Sequence, residues 1–179
     1  MASSLNILLL VLISLSTTIP FAFQSRTPPQ NATHLHLYFH EINGGPNSTT
    51  TPITPLNSSS SGFGGVVAID DKLRKGPQAT SKLIGRVQGL LVAVSQEELV
   101  FLMNTNFVFV DGKYTGSSLA VYGRAVFASE TREWSIIGGT GQFRLARGYV
   151  VGKKLSSPAA TLLIELDIYV LSKKRRVYM

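Results

Sequence analysis

One carboxylate lies on the apolar face of a strand predicted near residue 38. Residues 34–41 read HLHLYFHE, so apolar and polar side chains alternate with a period of two. Because successive side chains of a strand point to opposite faces, Leu37, Phe39 and Glu41 share one face. If that face lines an apolar cavity, burial raises the pKa of Glu41, and its carboxyl group can protonate a leaving hydroxyl. The sequence therefore predicts an acid group inside a β-structure.

Three histidines, His34, His36 and His40, occupy the other face of the same strand. A metal site there needs further carboxylate or thiol ligands, and the sequence offers no convincing partner for these imidazoles. We therefore expect the three side chains to pack outward or to contact another subunit, with no metal and no cofactor bound.

A glycine-rich stretch, residues 136–148 (IIGGTGQFRLARG), raises the question of phosphate binding. A Walker loop needs Lys followed by Ser or Thr after its last glycine, whereas Gly141 is followed by Gln142 and Phe143. A dinucleotide fingerprint opens a helix, and the residues after Arg147 (GYVVG) are poor helix formers. The stretch therefore predicts a tight bend between two strands, with a structural role for Arg147.

Segments rich in β-forming residues follow one another through most of the chain. The one helical signal is residues 95–99 (SQEEL), where Ser95 is a plausible cap, but this segment is short. Seven or eight strands with apolar residues on both faces favour a closed barrel over a sandwich, its outer wall covered by a partner subunit. The predicted strands are residues 34–41, 63–69, 84–94, 107–110, 117–122, 148–153 and 161–171.

The N-terminal region indicates secretion. Residues 1–23 have the pattern of a signal peptide, because their apolar run, 5–15, is shorter than the roughly 20 residues of a membrane span. A membrane anchor is the alternative interpretation. Three sequons follow, at Asn31, Asn47 and Asn57, and in a secreted chain they predict surface glycans. Since the chain has no cysteine, an extracellular domain must rely on its core and on oligomerisation.

The positive charge is concentrated at the C-terminus. The formal net charge is +7, and removing the four basic residues Lys173, Lys174, Arg175 and Arg176 leaves +3. A short basic tail of this kind is typical of a solvated terminus, here one that could bind an acidic cell-wall polysaccharide. Nucleic acid is not expected as a partner, because none of the usual reading motifs is present.

Five short motifs follow one another along the chain. They are Tyr38-Phe39-His40-Glu41-Ile42; Phe63-Gly64 through Ile69-Asp70-Asp71; Gly76-Pro77 with 81–89 (SKLIGRVQG); Asn106-Phe107-Val108-Phe109 with Gly112-Lys113-Tyr114; and Gly138-Gly139-Thr140-Gly141 with Phe143 and 146–149 (ARGY). In this order they resemble the motifs of plant dirigent proteins, and the match covers about residues 34 to 171. The resemblance divides the chain into a signal peptide (1–23), an N-terminal segment (24–33), a dirigent β-barrel domain (34–172) and a basic tail (173–179).

The resemblance implies an all-β fold, a single eight-stranded antiparallel β-barrel that is allene-oxide-cyclase-like. It also implies a homo-oligomer, a trimer rather than a dimer, secreted to the plant apoplast. Family members impart stereoselectivity to phenoxy-radical coupling in lignan-type biosynthesis, and a separate laccase or peroxidase supplies the radicals. A related branch, similar to pterocarpan synthase, is a cofactor-free lyase or cyclase that closes a ring through a quinone methide after loss of water. Stereodirected coupling is the function predicted from the sequence, and the cofactor-free lyase or cyclase is the alternative. A plain phenolic carrier or cell-wall binding module is the third hypothesis.

The same resemblance suggests the site residues. Glu41 stands where the family usually has Asp, and the arginines at motif positions could hydrogen-bond a phenolic oxygen. For Asp70 and Arg86, a buried ion pair that fixes the barrel is an equal alternative. The expected catalytic residues are Glu41, Asp70, Arg86 and Arg132, and the expected ligand contacts are Leu37, Phe39, Thr105 and Phe107.

Two polar groups of the pinoresinol-forming members are missing from this chain. Those proteins resemble it but carry a cavity Tyr at the position aligned with Thr105 and an Asp at the position aligned with Ala125, whereas Arg132 is retained. Pinoresinol formation is therefore not expected. A different phenolic, such as a terpenoid or an isoflavonoid, is predicted as the small-molecule partner.

Overall fold

The computed structural model describes residues 32–54, 61–155 and 160–171. The predicted signal peptide, the sequons at Asn31 and Asn57, and the basic tail lie outside these ranges. Asn47 lies inside them, exposed in the turn after the first strand. Within the described ranges, no helix is long and apolar enough to cross a membrane.

Nine strands make up the described fold. Residues 95–99, which carry the helical signal in the sequence, form a bend. The Ser95 hydroxyl accepts from the N–H groups of Glu97 and Glu98 as a cap would, but no helix follows. The strands are β1 (Thr33–Ile42), β2 (Thr50–Thr54), β3 (Val66–Arg74), β4 (Leu83–Ala93), β5 (Val100–Phe109), β6 (Ser118–Val126), β7 (Thr131–Thr140), β8 (Arg147–Leu155) and β9 (Thr161–Leu171), with one 3-10 turn at Gly141–Phe143.

Eight of these strands close into an antiparallel barrel, which confirms the predicted fold. Strands β3 to β9 pair in sequence order, β9 pairs with β1, and β1 closes the circle by pairing with β3. Strand β2 continues the line of β1: the C-terminal part of β3 pairs with β1, and its N-terminal part pairs with β2. Residues 43–49 therefore form a loop that interrupts one edge of the barrel at the level of Glu41.

The interior is filled by alternate residues of every barrel strand, as the period-two pattern predicts. The end of the barrel at which β1 ends and β9 begins is called the mouth here, and the opposite end is called the base. The base is filled by three aromatic rings: the centroid of Phe143 lies 5.4 Å from that of Phe109 and 4.7 Å from that of Tyr114. The barrel is therefore packed shut at its base.

The glycine-rich stretch forms the turn that places Phe143 in the base. Gly141 has φ +59°, and a Cβ at Gly139 would lie 2.6 Å from the carbonyl oxygen of Ser118, so larger residues do not fit either position. The predicted tight bend between two strands is confirmed, here between β7 and β8. The Arg147 guanidinium donates to the carbonyl oxygens of Ile137 and Ala146, at 2.5 and 2.8 Å, which is the predicted structural role.

Candidate active site

An apolar cavity of about 80 Å³ lies in the barrel near the mouth. That volume accommodates several water molecules. Two of the described residues that line the cavity have ionisable side chains, Glu41 and Arg132. The other lining residues are Phe39, Ile69, Leu91, Phe101, Met103, Phe107, Ala125, Phe127, Trp134, Leu162, Ile164 and Leu166. Such a wall, apolar with few polar groups, is typical of a small-molecule site.

Glu41, the residue before the last of β1, points into this cavity. Only 7% of its surface is exposed, and Nδ2 of Asn43 donates a 2.8 Å hydrogen bond to its Oε1. Burial raises the pKa of Glu41 above its usual value, while the Asn43 hydrogen bond and the charge of Arg132 oppose that rise. The carboxyl group is therefore poised to hold a proton more tightly than a surface glutamate does.

Asp71 is a second inward-facing carboxyl group, and it is completely buried on β3. The Thr49 hydroxyl donates to its Oδ1, whereas its Oδ2 has no hydrogen-bond partner among the described residues. Burial, and next the negative charge of Glu41, raise the pKa of Asp71 to about 8. An unpartnered buried oxygen and a raised pKa agree with a carboxyl group that is neutral at pH 7.

Glu41 and Asp71 act as a pair because β1 and β3 are neighbours. His40 pairs with Lys72 across the two strands, so the next residue of β1 and the preceding residue of β3 both face inward. Two carboxyl groups in one apolar enclosure repel each other when both are ionised, so the pair retains a proton at neutral pH. The loop 43–49 supplies a hydrogen-bond donor to each member, from Asn43 and from Thr49.

Among the described residues that line the cavity, Arg132 alone brings a positive charge. Its guanidinium is fixed by two hydrogen bonds to main-chain oxygens, from Nε to Val126 at 3.0 Å and from Nη2 to Phe127 at 2.8 Å. Burial lowers the pKa of Arg132, and the negative charge of Glu41 opposes that change. Since both hydrogen-bond partners are neutral, the positive charge stays available to an oxyanion in the cavity.

Trp134 forms part of the cavity wall, and the sequence reasoning did not identify it. A Cβ at Gly152 would lie 2.6 Å from Cζ3 of the indole, and a Cβ at Gly123 would lie 3.1 Å from its Cδ1. Two glycines on neighbouring strands thus make the space for this ring. Its Nε1 is buried without a hydrogen-bond partner among the described residues.

The structure places Asp70 and Arg86 outside the barrel, so they do not join the cavity expected to contain them. Nε of Arg86 donates to Oδ1 of Asp70, and the two side chains are 32% and 51% exposed. The ion pair considered as the alternative is present, but it lies at the surface. Alternation explains the difference: Ile69, Asp71 and Leu73 face inward, and the residues between them face solvent.

The four expected ligand contacts divide into two groups. Phe39 and Phe107 line the cavity. Leu37 and Thr105 face inward but lie in the packed core and are absent from the cavity wall. The Thr105 hydroxyl is buried without a hydrogen-bond partner among the described residues, and Ala125 does line the cavity.

The three histidines of β1 point outward, as expected, but the expectation that they lack carboxylate partners is wrong for His34 and His36. Oδ1 of Asp167 lies 2.7 Å from Nε2 of His34 and 3.0 Å from Nδ1 of His36, and Glu165 lies 3.3 Å from the other nitrogen of His36. These partners come from β9, about 130 residues away in sequence, so spacing along the chain could not identify them. Among the described residues, no group of three or more such side chains has the arrangement of a metal site.

The fold and the cavity together define a class of protein. It is a closed β-barrel around an apolar cavity, and its wall presents the carboxyl group of Glu41 and the guanidinium group of Arg132. The family model for the dirigent-like proteins matches residues 32–171. The chain therefore belongs to the dirigent-like protein family.

Relatives of known structure or curated sequence support this assignment. The chain is 41% identical to Dirigent protein 21 of Arabidopsis thaliana over 162 residues, 88% of this chain and 85% of that one. It is 37% identical to Pterocarpan synthase 1 of Glycyrrhiza echinata, covering 87% of this chain and 94% of the relative. The solved structure of the pterocarpan synthase dirigent protein GePTS1 superimposes with a TM-score of 0.75 at 38% identity, covering 83% of this chain and 88% of the other.

Proposed function

We propose that this protein is a cofactor-free dehydrating cyclase that acts on a phenolic benzylic alcohol and forms a ring through a quinone methide. The observation that carries the proposal is the buried pair of Glu41 and Asp71, of which Glu41 reaches an apolar cavity. A proton donor inside an apolar cavity is what the loss of a poor leaving group requires. The similarity to proteins named pterocarpan synthase supports the same class of reaction.

Glu41 handles the proton in each step of the proposed reaction. It protonates the benzylic hydroxyl, the C–O bond breaks, and water leaves. The carboxylate that remains takes the proton of the phenol whose oxygen becomes the carbonyl of the quinone methide. When a second phenolic oxygen adds to the methide carbon, Glu41 returns a proton to that carbonyl oxygen and accepts one from the adding phenol. The net change is ring closure with loss of one water.

Asp71 and Arg132 assist this cycle in different ways. Asp71 is buried next to Glu41 and does not line the cavity, so it is a positioning residue. While Asp71 holds its proton, it places no negative charge beside Glu41, and Glu41 can then ionise during the cycle. Arg132 lines the cavity and stabilises negative charge on the phenolic oxygen. The apolar wall holds the methide in one orientation, and a bias of about 2 to 3 kcal/mol between its faces gives roughly a thirty-fold to hundred-fold preference.

Stereodirected coupling of phenoxy radicals, made by a laccase or peroxidase, is the second candidate. The 41% identity to Dirigent protein 21 favours it, as does the apolar wall, which can orient a radical without chemistry of its own. The acid group separates the two candidates, because radical coupling needs no proton donor, whereas the cavity contains the carboxyl group of Glu41. We therefore place the cyclase first.

The test uses purified protein and an isoflavanol-type substrate that carries a benzylic hydroxyl and a second phenol, without oxidant. We expect consumption of the alcohol and one dominant enantiomer of the cyclised product by chiral chromatography. Glu41→Gln should lower the rate by about 100-fold or more, because the amide cannot donate a carboxyl proton. Glu133→Gln is the matched control, since Glu133 is exposed on the outer face of β7.

Two outcomes would contradict the cyclase. One is unchanged turnover in Glu41→Gln. The other is no consumption without oxidant, together with enantioselective coupling when a laccase and a simple phenol are supplied, which would establish the second candidate instead.

A further inference from the structure

A second cavity, of about 360 Å³, lies on the outer wall where β1, β3 and β9 meet the β3–β4 loop. We call it the basic groove. One side is formed by the outward-facing His40, Lys72 and Arg74. The other side is apolar and includes Ile42, Leu163, Pro77 and Ala79. Neither the cavity in the barrel nor the proposed cyclase chemistry uses these cationic side chains.

The positive charge in the basic groove is not neutralised within the described residues. Lys72 has no carboxylate within salt-bridge distance there, and Nη1 of Arg74 donates to a main-chain oxygen, that of Ser81. Burial, and after it the charges of Arg74 and Lys72, lower the pKa of His40, while its hydrogen bond to Gly76 opposes them. The one acidic residue at the groove, Glu41, has its carboxyl group bonded to Asn43 and also lines the barrel cavity. Two cationic side chains, Lys72 and Arg74, together with the imidazole of His40, therefore surround a space that has no unpaired carboxylate among the described residues.

The groove is preformed, because its overhanging loop is fixed by hydrogen bonds. The Ser81 hydroxyl lies 2.7 Å from the carbonyl oxygens of both Gly76 and Gln78, and the N–H of Lys75 donates to Lys82 at 3.0 Å. Nε2 of His40 lies 3.2 Å from the Gly76 oxygen and ties the loop to β1. A ligand that binds here does not have to order the loop, so little conformational entropy opposes binding.

We propose that the basic groove is a binding site for an aromatic carboxylate, separate from the cavity in the barrel. The carboxylate would lie between Lys72 and Arg74, where charge-assisted hydrogen bonds are available. The ring would lie against Leu163 and Pro77 on the apolar side. The volume of about 360 Å³ accommodates one benzoate-sized or cinnamate-sized molecule. An inorganic anion would fill the charged side alone and leave the apolar side uncovered.

The probe for the test is 4-hydroxycinnamate, titrated into the full-length protein at low ionic strength by calorimetry and by amide NMR. We expect saturable binding, with shifts of the Ala79 and Leu163 amides and none of the Trp134 indole. Lys72→Gln should weaken binding by about tenfold, and so should raising the salt to about 0.5 M. Lys153→Gln, which removes an equal charge from the exposed face of β8, should leave the affinity unchanged.

Each contrary result overturns the proposal. Equal weakening by Lys153→Gln and Lys72→Gln would show that net charge alone attracts the probe. Shifts confined to the Trp134 indole would place the probe in the barrel. Sulfate binding as tightly as the aromatic acid would show that the apolar side contributes nothing. Lys72 lies on the outer wall, and its side chain makes no hydrogen bond or ion pair with the residues that the structure describes, so its replacement should not disturb the core. Folding of the variant can be checked from the same spectra.

Discussion

Replacing Asp71 by Asn should change how the stability of the protein depends on pH. The folded protein holds the Asp71 proton with a pKa of about 8, whereas the unfolded chain releases it near the ordinary value of 3.8. The native state therefore binds more protons than the unfolded state between these values, and the free energy of unfolding falls as pH rises through that window. Below about pH 4 both states are protonated, and this loss is absent.

The size of the effect follows from the two pKa values. Each pH unit inside the window lowers the free energy of unfolding by about 1.4 kcal/mol, so the loss between pH 5 and pH 7 is about 3 kcal/mol. Asn has the same shape and does not ionise, so Asp71→Asn should not show this loss, whatever its stability at pH 5. The amide oxygen can still accept from Thr49, which keeps the loop 43–49 attached.

Urea unfolding at pH 5, 6 and 7, followed by tryptophan fluorescence, measures the difference between wild type and variant at each pH. Asp70→Asn is the control: hydrogen bonding to Arg86 lowers the pKa of Asp70, so this carboxyl group is ionised in both states over the whole range. Its difference from wild type should stay constant. The contrary result is that the free energies of unfolding of wild type and Asp71→Asn change with pH in parallel, to within about 0.5 kcal/mol. That result would refute the conclusion that Asp71 is buried in its neutral form, and with it the proposed acid pair of Glu41 and Asp71.

Three further predictions concern packing and placement. Gly152→Ala should destabilise the protein by about 1 to 3 kcal/mol, because the new Cβ would lie 2.6 Å from the Trp134 ring. Gly138→Ala is the control, since a Cβ there meets no atom within 4 Å and causes no steric conflict. Thermal unfolding of the two variants measures the difference. Phe143→Ala should cost about 3 to 5 kcal/mol in urea unfolding, because it opens the packed base; a smaller loss would mean that this ring does not close the barrel. Arg86→Gln should change stability by less than about 1 kcal/mol and leave turnover intact, since its ion pair is exposed; a large loss of activity would return this residue to the site.

Much of the fold could be predicted from local pattern. The alternation of residues 34–41 gave both the strand β1 and the inward direction of Glu41, because a period of two leaves only two faces. The glycine-rich stretch gave the bend between β7 and β8. Two strands, β2 and β7, were not predicted. The β2 sequence TTPIT contains a proline and lacks alternation, and its pairing with β3 depends on where β1 ends. In β7 the buried positions alternate as Arg132, Trp134 and Ile136, and the charged arginine at the first of them interrupts the apolar pattern.

The candidate site was less predictable, since it depends on partners across the sheet. Asp70 was chosen from a motif position, while the inward Asp71 could have been found by continuing the alternation from Ile69 to Leu73. The raised pKa of Asp71 comes first from its burial and next from the charge of Glu41, thirty residues earlier in the chain, and no spacing rule connects the two residues. The slot for Trp134 is similar, because its two glycines lie on different strands.

The closed base determines how ligands enter and leave the barrel. Because Phe109, Tyr114 and Phe143 pack across that end, a ligand enters and leaves the cavity through the mouth. Product must be released before the next substrate binds, so a product that dissociates slowly inhibits by occupying the mouth. Whichever end of a guest goes in first also stays deepest, so its orientation is chosen on entry and cannot be reversed inside.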